Sequence, residues 1–295
     1  MPERLRFRVL GPLRVRRGAG WTRVAAEQQR VVLAVLLEEP GRAVSTDALV
    51  DAVWGDRQPR TAANTVAAYV LRLRRLIGRD ALITRGRAYE LLAADDEVDA
   101  AVFQRTVAAA RRELHGGRLE RGAAGLADAL ALWPGSQPAL ADVPSTPVLE
   151  PMVAHLELLR HGAVEDHLGA LLDLGRHAEV VDDLYRLAAE QPLRERRWEL
   201  LLTALRRCDR RAEALCAYAR VRRILAAELG VEPGVRLREA HRGILAGQPP
   251  AGAGVDAYAR RNRPGRAPVS SPSRTASTPL TSTSRTPRGG SSGSS

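Results

Sequence analysis

Apolar positions alternate at the start of this chain, recur with a helical period through most of its length, and nearly vanish at its end. LRFRVLGPLRVRR (5–17) alternates apolar residues with arginine around Gly11-Pro12, and WTRVA (21–25) follows a Gly-Ala-Gly turn, which predicts three short strands. AEQQRVVLAVLLEE (26–39) reads as a helix with Val31, Leu33, Val35 and Leu36 available for burial, stopped by Pro40-Gly41. Ser45 or Thr46 caps a second helix, TDALVDAVWG, with an apolar face of Leu49, Val50, Val53 and Trp54. A longer helix covers TAANTVAAYVLRLRRLIG (61–78), and ALITRGRAYELLA (81–93) reads as two strands around a turn at Arg85–Arg87. Strands, two helices, a long third helix and a hairpin, in that order, are the parts of a winged helix-turn-helix.

In the long helix Val66, Val70, Leu73 and Ile77 stand at i, i+4, i+7 and i+11, one narrow face. Asn64, Ala68, Leu71 and Arg75 fall on the opposite side, flanked by Thr65 and Arg72. Taken alone, this is equally the pattern of an ordinary amphipathic helix with a solvated basic face. Placed third in a winged helix-turn-helix, it becomes the recognition helix, held by its stripe and facing DNA with its other side. Arg85 and Arg87 then sit at the tip of the wing, where phosphates or the minor groove are within reach.

Residues 98–247 read as helical throughout, and they contain a repeat. LGRHAEVVDDL (174–184) aligns with CDRRAEALCAY (208–218) at an offset of 34 residues, which matches Ala178-Glu179 to Ala212-Glu213. That is the tetratricopeptide period, a helix hairpin stacked on its neighbour; an α-helical bundle with an accidental repeat is the alternative. GLADALALWPG reads as a degenerate helix of the same kind, and VAHLELLRHGAVEDHLGALLDLG as one long helix or two joined near Gly162. From about Gln248 the chain is rich in Pro, Gly, Ser, Thr and Arg with few large apolar residues, which predicts a disordered tail. The fold class expected is mainly α: a winged helix-turn-helix over 1–97, a tetratricopeptide-like domain over 98–247, and a tail over 248–295.

Charge sharpens this picture. All 45 basic residues are arginine. The absence of lysine excludes a Walker A loop, a Schiff-base enzyme and a kinase-type ATP site. No HExxH, GxSxG or glycine-rich dinucleotide motif is present. Cys208 and Cys216 are expected to be small buried side chains, and no metal site, cofactor or enzymatic activity is expected. Residues 1–97 carry a net charge of +5, residues 98–247 of zero and residues 248–295 of +6. Within the first segment, residues 71–89 hold six arginines and one acid, Asp80, a compact footprint for a polyanion. Neither a membrane span nor a signal peptide is legible, so a cytoplasmic location is expected.

VSTDALVDAVWGDRQPRTAANTVAAYVLRLRRLIG followed by LITRGRAYEL resembles the DNA-binding half of the Streptomyces antibiotic regulatory protein family. ALALWPG, LGRHAE, EQPLRERRWELLLTAL, DRRAEALCAYARVRRILAAELGVEPG and LREAHRGIL resemble its bacterial transcriptional activator domain. The resemblance covers roughly residues 5–247 and implies an activator, usually of a secondary-metabolite gene cluster, with an OmpR-type winged helix. It implies promoter DNA carrying direct repeats as partner, a homodimer on that DNA, and recruitment of RNA polymerase including its sigma factor. It also implies base contact by Arg72, suited to guanine O6 and N7, and positioning on phosphates by Asn64, Thr65, Tyr69, Arg74 and Arg75. Asp56, Arg57, Gln58 and Pro59 match a loop that touches polymerase in OmpR-type proteins. Three departures stand out: Ala88 precedes Tyr89 where the wing often has glycine, Asp209 occupies a turn that commonly has glycine, and the ATPase domain of larger relatives is absent, which argues against nucleotide-driven control. The rival reading is a protein–protein adaptor that works through its helical repeats and binds DNA weakly and nonspecifically.

Overall fold

The long helix that carries the arginines touches both of the small sheets as well as two other helices. In the computed structural model, which describes residues 6–247, strands β1 (Phe7–Arg8), β2 (Arg14–Arg17) and β3 (Gly20–Arg23) form an antiparallel sheet in the order β1-β2-β3. Phe7 pairs with Val15 and Arg14 with Arg23. Helix α1 (Glu27–Glu38) follows, and every residue from Gln29 to Leu37 is buried. The sequence suggests a half-buried helix; the structure makes α1 the central one, packed against α2 (Thr46–Trp54) and α3 (Ala62–Ile77). Arg30, only 2% exposed, survives there because its guanidinium donates to the carbonyls of Val24, Ala25 and Asp142.

The cap of α2 is Ser45, whose Oγ accepts the Ala48 N–H at 3.1 Å. Strands β5 (Leu82–Arg85) and β6 (Ala88–Leu91) form the hairpin, with Gly86 at φ +63° in its turn. A strand that the sequence pattern does not reveal, β4 (Ala43–Ser45), adds to β6 and makes the order β4-β6-β5. Three residues are too few to show a period, so this strand exists by virtue of its partner.

Helices α4 (Asp99–His115), α5 (Leu119–Leu130), α6 (Glu150–Asp173), α7 (His177–Glu190), α8 (Glu195–Arg207), α9 (Arg211–Leu229) and α10 (Val235–Leu245) make up the second half. Helix α6 is one continuous helix through Gly162. The 34-residue repeat is visible at the level of single hydrogen bonds. Arg176 N donates to Leu171 O at 3.0 Å and Arg210 N to Leu205 O at 2.9 Å, while Gly175 and Asp209 both take positive φ, +85° and +58°. The Arg176 and Arg210 side chains then pair with Glu179 and Glu213.

The two halves are in direct contact across residue 97. Val98 bridges to Phe7, and Leu140 N and Ala141 N donate to Val9 O and Gly11 O at 2.9 and 3.2 Å. Asp142 accepts from Leu13 N at 2.7 Å, Arg14 Nη1 at 2.9 Å and Arg23 Nε at 3.1 Å. Gly11, at φ +120°, lies so close to Pro134 that a Cβ would meet its Cγ at 2.8 Å. One hydrophobic cluster accordingly runs from Phe7 to Ile244. The cysteine expectation needs correcting: Cys208 is half-buried and Cys216 exposed, because the buried stripe of α9 is Ala214, Ala217, Val221 and Leu225, which leaves Cys216 off its face. The expected tail, 248–295, lies outside the described residues. Among those described, no helix is long and apolar enough to cross a membrane.

Candidate nucleic-acid interface

Helix α3 buries Ala62, Val66, Val70, Leu73 and Ile77, the stripe read from the sequence with one alanine added. Its last turn is closed twice. Gly78 at φ +101° donates its N–H to Arg74 O, and Arg6 reaches in from beside β1 to donate to Ile77 O at 2.8 Å. With that side anchored, Asn64, Ala68, Leu71, Arg72 and Arg75 are exposed together, and Thr65 is half-buried. The helix carries no acidic residue.

The nominated side chains then divide. Arg72 and Arg75 form no ion pair or hydrogen bond among the described residues and stand free in solvent. Arg74 is turned toward the wing, where Nε donates to Leu82 O at 2.7 Å and Nη2 to Thr84 Oγ1 at 2.8 Å. Tyr69 is half-buried and stacks on Trp54 of α2, with ring centroids 6.2 Å apart and planes at 21°. Thr65 Oγ1 donates to Thr61 O at 3.0 Å, which leaves its acceptor capacity unused by that bond. At the wing, Arg85 Nε pairs with Glu90 at 2.8 Å, while Arg87 is 87% exposed and has Asp47 only at 3.9 Å. Asp56, Arg57, Gln58 and Pro59 are all exposed, and Gln58 is tied back to Asp51 by its amide. The structure thus leaves Arg72, Arg75 and Arg87 exposed, and Arg74 makes a side-chain link between α3 and the wing. It assigns Arg74 and Tyr69 bracing contacts that hold the helix against the wing and α2.

Three positions escaped nomination. Arg79 is exposed just past the helix, inside the arginine-rich run, and Arg60 is exposed one residue before the N-cap Thr61. Both are visible in the sequence as cations flanking the helix. Arg6 carries no local signal, because its partner Ile77 is 71 residues away.

Residues 98–245 match the family described as the bacterial transcriptional activator domain, and residues 25–91 match that of the transcriptional regulatory protein C terminus. The chain is 39% identical over 243 residues to the regulatory protein AfsR of Streptomyces griseus, an alignment that covers 82% of this chain and 25% of AfsR. It is 32% identical over 256 residues to the regulatory protein DnrI of Streptomyces peucetius, covering 83% of this chain and 93% of DnrI. It therefore spans about a quarter of the AfsR protein and nearly all of DnrI. The solved structure of Mycobacterium tuberculosis EmbR in complex with a low-affinity phosphopeptide superposes with a TM-score of 0.81 at 32% identity, over 88% of this chain and 69% of that one. With both matched segments in order and most of DnrI's length aligned, the chain belongs to the Streptomyces antibiotic regulatory protein family of transcriptional regulators.

Proposed function

We propose that this protein is a sequence-specific transcriptional activator of a secondary-metabolite gene cluster, acting in the cytoplasm with no cofactor and no enzymatic activity. It binds direct repeats upstream of promoters as a homodimer on DNA and recruits RNA polymerase with its sigma factor. The observation that supports this best is the acid-free face of α3, where Arg72 and Arg75 are exposed and have no partner among the described residues. A buried recognition helix with unspent guanidinium groups on its outer side suits the major groove, where arginine meets guanine O6 and N7 bidentately. Arg72 is assigned that base contact. Asn64, Thr65 and Arg75 are assigned to phosphates, Ala68 to close backbone approach, and Arg85 and Arg87 to the phosphates beside the wing. Arg74 and Tyr69 position the helix rather than touch DNA. The exposed loop Asp56–Pro59 and the helical half from residue 98 are assigned to polymerase and protomer contacts, the DNA-reading half being residues 1–97.

Footprinting the full chain on the promoters flanking its own gene, with excess nonspecific competitor DNA, tests this. Protection of direct repeats about one helical turn apart is expected. Diffuse protection that the competitor abolishes would favour the adaptor reading.

A further inference from the structure

Leu71 sits on the outward side of α3 with 44% of its surface exposed, and it is absent from the apolar side chains that pack on the core. Among the described residues of the DNA-reading half, 1–97, the exposed large apolar side chains are Leu71 and Leu92, and Leu71 is the one on α3. Packing does not call for leucine here, and alanine would make at least as good a helix. Its surroundings explain what it can touch. Ala67 and Ala68, one turn back, are exposed and short, so the helix can approach another surface closely at this level and Leu71 projects beyond them. At about 100° per residue, Leu71 and Arg72 lie on either side of the midline opposite the buried stripe, so both point into the same groove.

We propose that Leu71 is a specificity-determining residue that contacts the C5-methyl of a thymine in the major groove, beside the base pair read by Arg72. This rests on the DNA-binding reading above and adds a second letter to it. The thymine methyl is the apolar group on the major-groove edge of the base pairs, and apolar side chains recognise it by contact. The charges around Leu71 fit a groove and not a protein core: Arg72 and Arg75 follow it with no acidic partner among the described residues, so an apolar protein surface would have to bury both unpaired.

The test uses the full chain and duplexes carrying the footprinted repeat, with each thymine replaced in turn by deoxyuridine, which lacks only the methyl. The parent is expected to lose about fourfold in affinity at one thymine per repeat. Leu71→Ala is expected to bind the thymine duplex about fourfold more weakly and to make no distinction between thymine and deoxyuridine. Its thermal melt should match the parent's. A flat deoxyuridine scan, a methyl preference that survives in Leu71→Ala, or a lowered melt would overturn the assignment. Arg72→Ala measured on the same duplexes separates the two readings. If it still loses base discrimination while the deoxyuridine scan is flat, Leu71 falls and DNA recognition stands. If no repeat is protected at all, both fall.

Discussion

The Asp99 carboxylate at the start of α4 accepts the backbone N–H of Val9 at 2.8 Å, across 90 residues of chain, and that of Leu10 at 3.2 Å. Asp99 is 1% exposed, and this burial pushes its carboxyl up to about 7, against the opposing pull of the Val9, Leu10 and Ala100 N–H groups and of Arg8. The folded chain therefore holds a proton near neutrality that the unfolded chain releases near pH 4. The associated stability is fully present below pH 4 and is lost as pH rises toward 7, by about 1.4 kcal/mol per pH unit while only the folded form is protonated. Asp99→Asn cannot titrate. Subtracting its urea-melt stabilities from the parent's between pH 4.5 and 7.5 should leave a falling difference that levels off above 7; parallel curves would refute the neutral carboxyl.

Arg74 joins the recognition helix to the wing through Leu82 O and Thr84 Oγ1. Arg74→Ala should cost about 1–2 kcal/mol of stability, since Leu82 O loses its guanidinium donor. The salt dependence of DNA binding should stay near that of the parent. A variant as stable as the parent, with a shallower salt slope, would return Arg74 to the phosphate-contacting group.

Asp209 takes φ +58° at the turn where its counterpart one repeat earlier is Gly175. A Cβ in the left-handed region is strained, and glycine removes that strain while adding entropy to the unfolded chain. Asp209→Gly should stabilise by up to about 1 kcal/mol, read as a raised melting temperature. A lowered one would mean that the carboxylate itself serves the turn.

Arg72→Ala should reduce discrimination at one base pair by about tenfold. Arg75→Ala should weaken binding to all sequences and lower the salt slope by about one. Titrations on operator and scrambled duplexes at several salt concentrations separate the two, and variants indistinguishable from the parent would remove α3 from the interface.

What the sequence determined by itself was whatever lies within a few turns of one element. The α3 stripe, a cap at Ser45 or Thr46, the wing turn and the 34-residue repeat follow from spacing along the chain, because a period or a cap needs no long-range partner. The outward helix face and its arginines were legible for the same reason. What only the tertiary structure decided was where long-range partners spend those side chains. The spacing shows that Arg74 lies nearer the buried stripe than Arg72, but not what it meets there; β5 carbonyl and hydroxyl groups claim Arg74, and no described residue claims Arg72. Strand β4 exists because β6 is beside it, and Asp99 and Asp142 anchor the first sheet to the helical half through hydrogen bonds that no sequence period encodes. Backbone donors and acceptors must be satisfied by whatever the fold brings near, and that pairing is a property of three-dimensional proximity alone.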